Sequence, residues 1–360
     1  MNSFESTNLD FLRAIAVLLV VACHVLVFLG APKVGIYSTE ALGRLGVLIF
    51  FVHTCFVLML SLERQDRKFG VSHRTRIFLT RRVMRIYPLS IVVVVLVAVF
   101  HLPNRHLAPG HMDIAVITSS TLLSNLALVQ NLTKSISIVG PLWSLPIELQ
   151  MYLLLPALFA FVTRVRSLGP LVALWVCSVV VALAIPLVEN RLDVFRYSPC
   201  FLAGVIAFRM SASVDRRWPF AFLPTLLACS ILVFTAHYHS GRLLTLKGAF
   251  ICLAIGLVLP RLRPLANPIV CRVAHAIAKY SYGIYLTHCI ALWLGAMCLA
   301  KSPAYLQWSV FTCVACATPV ALYYAVERPG IRLGAALVRK RWPAVDEAGE
   351  GQSSPVAVIA

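Results

Sequence analysis

The stretch "NLDFLRAIAVLLVVACHVLVF" (8–28) decides the fold. It is an apolar run long enough to cross a bilayer, which needs about 20 residues. Arg13 stands near its start and His24 lies inside it. Eleven residues of helix advance about 1100°, three turns plus ~20°. Arg13 and His24 are therefore expected on one face, about 16 Å apart along the axis. Arg13 then sits at the membrane boundary and His24 near the middle of the hydrocarbon. An ionisable residue at that depth points to function, and hydrogen bonding to a neighbouring helix is the structural alternative. A neutral imidazole held dry can accept a proton near pH 7.

The rest of the chain agrees with a membrane setting. Of 360 residues, 60% are hydrophobic and 13% are charged, and the mean hydropathy is +0.85. Soluble domains are nearer half apolar and a quarter charged. The fold class expected is an all-α polytopic membrane protein of about ten transmembrane helices. The spans are placed at 14–32, 42–62, 86–102, 142–163, 168–188, 197–212, 219–236, 244–260, 277–299 and 306–326. Pro199 and Gly204 are expected to break or tilt the sixth. Glu5 and Asp10 spoil a basic leader, so the first span reads as retained.

A net charge of +18 on a soluble protein suggests nucleic acid. Here the cations sit between apolar runs, and no nucleic-acid partner is expected. With both termini cytoplasmic, 23 of the 32 Lys and Arg fall in inside segments, as the positive-inside rule requires. The stretch "DIAVITSSTLLSNLALVQNL" (113–132) is long enough to span. Its polar residues and the charge bias argue for a non-spanning part of an outside loop, 103–141. The domain reading is a membrane domain over 1–335. A basic, then disordered, cytoplasmic tail follows over 336–360.

Eleven cysteines, eight of them in apolar runs, read as small buried hydrophobes. No C-x-x-C pair has a histidine nearby, and the remaining histidines show no metal spacing. No metal is expected.

Two further stretches carry chemistry. "SHRTRIFLTRRVMRIYP" (72–88) places Arg74, Arg76, Arg81, Arg82 and Arg85 just before the third span. Topology and attraction to anionic lipid account for some of them. Clustered guanidiniums also grip phosphate oxygens in pairs. "GPLWSLPIELQMYLLLP" (140–156) brings Glu148 into the fourth span from its outside end. A lone carboxylate there needs a partner or a polar cavity. Trp143 and Tyr152 are candidates for a substrate wall, or for an interfacial aromatic belt.

These stretches resemble the acyltransferase 3 family of integral membrane O-acyltransferases. "LDFLRAIAVLLVVACHV" is similar to its opening span, arginine, ten residues, then histidine. "RRVMRIYP" looks like its basic segment, and "PLWSLPIELQMYLLLP" resembles its Trp-Ser-Leu-x-x-Glu signature. "SYGIYLTH" (281–288) and "ERP" (327–329) match its late motifs. The similarity runs in order from about residue 8 to 330. It implies transfer of an acyl group, often acetyl, from cytoplasmic acyl-CoA to a hydroxyl of an extracytoplasmic or lipid-linked carbohydrate. It also implies a bacterial inner membrane and no tightly bound cofactor. By carry-over, His24 is the catalytic residue and Arg13 sits by the donor. Arg81, Arg82 and Arg85 bind the nucleotide end, and Glu148 helps on the acceptor side.

Some residues stand apart from the pattern. Where the family reads Phe-Phe-x-x-Ser-Gly, this chain has "FFVHTCF" (50–56), with Thr54 and Cys55 for the small pair and His53 extra. His53 is read as a packing residue. His288 is a candidate for a supporting hydrogen bond at the substrate site. Glu327 and Arg328 are expected to form a boundary salt bridge. The alternative function is a proton-coupled transporter with His24 and Glu148 as relay groups; the absence of a repeated half counts against it. A non-catalytic relative that helps assemble a surface-polymer complex is a third reading.

Overall fold

The computed structural model describes residues 3–102, 117–165, 167–185, 190–212, 218–237 and 241–342. The chain folds almost entirely into helices. The order is α1 (Ser3–Phe28), α2 (Glu40–Phe69), α3 (Arg74–Val99), α4 (Ser119–Leu126), α5 (Gln130–Thr133), α6 (Leu145–Arg164) and α7 (Gly169–Ala184). Then come α8 (Asp193–Ser211), α9 (Phe222–Thr235), α10 (Arg242–Val258), α11 (Pro268–Leu292), α12 (Ala304–Leu322) and α13 (Arg328–Arg341). A hairpin of two-residue strands, β1 (Lys33–Val34) and β2 (Tyr37–Ser38), closes the α1–α2 loop. Nothing in the apolar patterning signals it.

Among the described residues, six stretches are long and apolar enough to cross a membrane. They make this an integral membrane protein. Two more apolar helices, α7 and α9, are shorter. Among the described residues, the loop segment before α6 holds α4 and α5, of eight and four residues, and a 3-10 turn at Gly140–Ser144. At 1.5 Å per residue, neither helix crosses a ~30 Å core. Residues 103–116 and 343–360 lie outside the described residues, so much of the outside loop and the tail expected there does too.

Sequence dictates several boundaries. Asn267 caps α11 by accepting from the amides of Ile269 and Val270, and Pro268 fills the first turn where no amide partner is needed. Asn8 anchors the start of α1: its amide donates to Arg263 O at 3.1 Å, and its carbonyl accepts from Leu265 N at 2.9 Å.

α2 is the axis of the bundle, with 72% of its most apolar window buried. Glycines set its neighbours close. A methyl at Gly46 collides with Ala16 O and Val20 of α1, and one at Gly204 of α8 collides with Val52 O of α2. Small residues at such crossings let backbones approach. α8 is one continuous helix, contrary to the break expected at Pro199 and Gly204. The carbonyl that Pro199 deprives of its partner, Phe195 O, accepts from the Ser198 hydroxyl at 2.7 Å. Freed backbone groups in membrane helices are satisfied in this way.

At the chain's end, a five-residue π-helical turn, Tyr323–Glu327, links α12 to α13. α13 then packs on α3, with Gly330 and Gly334 against Met84.

Candidate active site

A cavity of about 250 Å³ runs along α2, between α1, α3, α6 and α11. Arg13, Arg82, Arg85, Glu148, Tyr152 and Tyr285 are in its wall. α2 contributes Phe50, Thr54, Val57, Leu58 and Ser61, the three- and four-residue spacing of one helix face. At one end it shares Ser61, Arg64, Arg82 and Arg85 with a mouth of about 480 Å³, to which Lys68 and Arg81 also belong.

The basic segment sorts into roles here. Arg74 is committed to structure, donating to Asp66 at 2.7 Å. Arg81, Arg82 and Arg85 face the mouth or the cavity. The Nε atoms of Arg13, Arg81 and Arg82 are buried without a partner. Arg74 and Arg196, outside the cavity, also have unpartnered Nε atoms, but those of Arg13, Arg81 and Arg82 stand along the cavity and its mouth, where an anion or an acceptor-rich chain could take them. Arg64, one of the cations that sequence reading counted only among the inside segments, also lines the cavity and its mouth.

Glu148 lies in the first turn of α6 yet is level with Thr54, midway along α2. Tyr152 OH donates to its Oε2 at 3.0 Å, and Thr54 Oγ1 donates to Oε1 at 3.5 Å. Arg13 and Arg82 are the cations that act on it. The carboxylate therefore has the partners its depth requires. Tyr152 is in the cavity wall; Trp143 is not, and packs instead on Tyr197 with ring centroids 5.8 Å apart.

Glu327 corrects the expected boundary pair. It is 1% exposed, and its partner is Arg85 at 3.7 Å rather than Arg328. The π turn rotates Glu327 inward, while Arg328 lies over the Tyr324 ring.

His24 stands beyond the far end of the cavity. Its Nδ1 is 2.9 Å from Val20 O, and His288 Nδ1 is 3.0 Å from Ile284 O. A carbonyl only accepts, so both Nδ1 atoms carry the proton and both Nε2 atoms carry the free pair. His288 Nε2 lies 3.2 Å from His24 Nδ1 and receives a share of that proton; the Cys289 thiol is 3.4 Å from the same nitrogen. His24 Nε2 is left as the basic atom. His24, His288 and Cys289 each offer a ligand atom within 4.8 Å of the others', and they form the group among the described residues that could hold a metal ion. All eleven cysteines are free.

The shared face of Arg13 and His24 is thus realised only in part. Arg13 enters the cavity wall and His24 does not. Between them stands Tyr285, whose hydroxyl donates to Pro141 O at 2.6 Å and lies 2.8 Å from Ser144 Oγ. Its ring centroid is 6.4 Å from that of His288. Sequence reading passed over Tyr285, Ser144 and Tyr282, although all three stand inside quoted motifs. Their aromatic and hydroxyl character resembled ordinary membrane packing.

No curated protein and no solved structure matches the chain. A family model described as an acyltransferase domain matches residues 6–326. The match embraces the arginine-lined cavity, the Glu148 cluster and the paired histidines, and it covers nearly the whole length; the chain belongs to the acyltransferase 3 family.

Proposed function

We propose that this protein transfers an acyl group, acetyl in the first instance, from cytoplasmic acyl-CoA to a hydroxyl of an extracytoplasmic or lipid-linked carbohydrate. The observation that carries the reading is the row of unpaired guanidinium donors leading from the mouth into the membrane interior. A proton relay has no use for such a wall, whereas a phosphate-bearing donor does.

The chain crosses a bacterial inner membrane ten times, with both termini in the cytoplasm. Arg64, Arg81, Arg82 and Arg85 hold the phosphates of CoA at the cytoplasmic mouth. The thioester arm passes Arg13 and reaches His24 when Tyr285 gives way, because Tyr285 and Ser144 line the cavity while His24 does not. The acceptor arrives from the opposite side. His24 Nε2 takes its hydroxyl proton as the oxygen attacks the thioester carbonyl. The tetrahedral intermediate collapses with cleavage of the C–S bond. The thiolate leaves with the proton from His24, giving an ester and free CoA. His288 holds His24 in the required tautomer, and Glu148 with Tyr152 forms the polar wall that the arm passes at the level of Arg13.

Membranes containing the protein, supplied with radiolabelled acetyl-CoA and a carbohydrate-bearing membrane fraction, should incorporate label. His24→Ala should lower the rate by about 10²–10⁴, the usual contribution of a general base. Undiminished transfer by that variant rejects His24 as the base.

A further inference from the structure

His53 takes no part in the chemistry above. It is 5% exposed, yet its ring lines the cavity beside Thr54, with Arg13 and Arg85 as its charged neighbours. A polar side chain that serves packing between membrane helices makes a hydrogen bond across them. His53 makes none among the described residues, and its Nδ1 is buried without a partner. The packing role read from sequence therefore lacks the bond it requires. A buried polar group without a partner is destabilising, and its presence in a cavity wall calls for a ligand.

Depth says which part of a ligand. α1 and α2 run antiparallel: Gly43 meets Cys23, and Gly46 meets Ala16. Continuing that register puts His53 at the level of Arg13. On α2, His53 and Arg64 are eleven residues apart, so the mouth lies about 16 Å from His53 in one direction. On α1, His24 lies about 16 Å from Arg13 in the other. His53 is thus midway between the cations at the mouth and the proposed base. An acyl-CoA that keeps its phosphates on Arg82 and Arg85, which line the cavity as well as the mouth, runs its arm inward past His53 with the thioester foremost. The segment between phosphates and thioester is the pantetheine arm, which carries two amides and a hydroxyl. A neutral imidazole offers one donor and one acceptor, the complement of an amide.

We propose that His53 is a donor-binding residue that hydrogen-bonds the amide-bearing arm of the acyl-CoA and so fixes how deep its thioester reaches. The inference rests on the acyl-CoA reading above. It also explains why an imidazole is tolerated in "FFVHTCF", where it departs from the family pattern.

The test uses the full-length protein in lipid nanodiscs and measures the affinity of CoA and of pantetheine, which lacks the phosphates. His53→Leu should weaken both ligands by about five- to tenfold, the loss of one hydrogen bond. His53→Gln, which keeps a donor and an acceptor, should recover most of that loss. Joint replacement of Arg82 and Arg85 by Ala should weaken CoA and leave pantetheine unchanged. Ligand-free thermal unfolding checks each variant, and His53→Ala replaces the leucine variant if that one does not fold. His53→Leu binding both ligands as wild type does, or losing CoA alone, overturns the assignment while leaving the acyl-CoA reading intact. Wild-type protein that binds neither ligand overturns both.

Discussion

His288 Nε2 lies 3.2 Å from His24 Nδ1, and the two rings meet edge to face with centroids 4.8 Å apart. Each ring also gives its Nδ1 proton to the carbonyl four residues back. The pair is therefore oriented from both helices, and its tautomers follow from main-chain geometry rather than from solvent.

From that geometry His288 should act through His24. His288→Ala should lower kcat for acetyl transfer by roughly ten- to a hundredfold, less than the ~10²–10⁴ expected for loss of the base, and leave the KM for acetyl-CoA unchanged. Steady-state kinetics on purified protein decide it. An unchanged kcat removes His288 from the mechanism.

The cluster at Glu148 separates charge from hydrogen bonding. Tyr152→Phe deletes one donor to the carboxylate and should cost about 1 kcal/mol of stability. Glu148→Gln keeps the shape but removes the anion beside Arg13 and Arg82, and should cost more, about 3 kcal/mol, as for a broken buried pair. Thermal unfolding in detergent ranks the two. The reverse order contradicts the electrostatic account.

At the mouth, Arg82 and Arg85 offer planar forks that lysine does not reproduce. Arg82→Lys with Arg85→Lys should weaken CoA binding by about tenfold despite conserved charge, a loss of ~1.4 kcal/mol. Isothermal calorimetry reads it directly. Affinity retained in the lysine variant means that charge alone suffices.

Gly204 and Gly35 make a paired test of close approach against backbone strain. A methyl at Gly204 meets Val52 O, Cys55 and Phe56 N of α2. Gly204→Ala should cost about 1–3 kcal/mol through overpacking. Gly35 has φ +60° and open space around it, so Gly35→Ala should cost about 1–2 kcal/mol, from conformation alone. No loss at Gly204 sinks the packing explanation for the α2–α8 contact.

The proposed topology predicts that reporters fused after Trp342 and inserted within 103–116 fall on opposite sides of the membrane. A fluorescent reporter should light only at the first site, and a periplasmic phosphatase should be active only at the second.

Much of this fold was legible in the sequence because hydrocarbon imposes length and polarity on every span. The breaking of 117–132 into two short helices agrees with its Ser, Thr and Asn content. The clustering of arginines was readable, although the structure ties Arg74 to Asp66 and brings Arg64 to the mouth. Which way a side chain turns was not legible. His24 rotates toward α11 instead of the cavity, and Glu327 turns to Arg85 instead of its neighbour Arg328. Those choices belong to contacts between helices far apart in the chain, and no local spacing encodes them. The unbroken path of α8 through Pro199 likewise depends on one serine hydroxyl, a detail below the reach of propensity.

The wide turn at Tyr323–Glu327 has a consequence for how this chain tolerates length changes. Such turns accommodate one surplus residue within an otherwise regular helix, and a single residue is worth about 100° of rotation. Deleting one residue there re-phases everything downstream by that angle. Gly330 and Gly334 then swing off Met84, and the carboxylate of Glu327 swings off Arg85. The last segment is keyed to α3 like a thread cut to one pitch, so a one-residue indel before Arg328 should be far more damaging than one after Trp342.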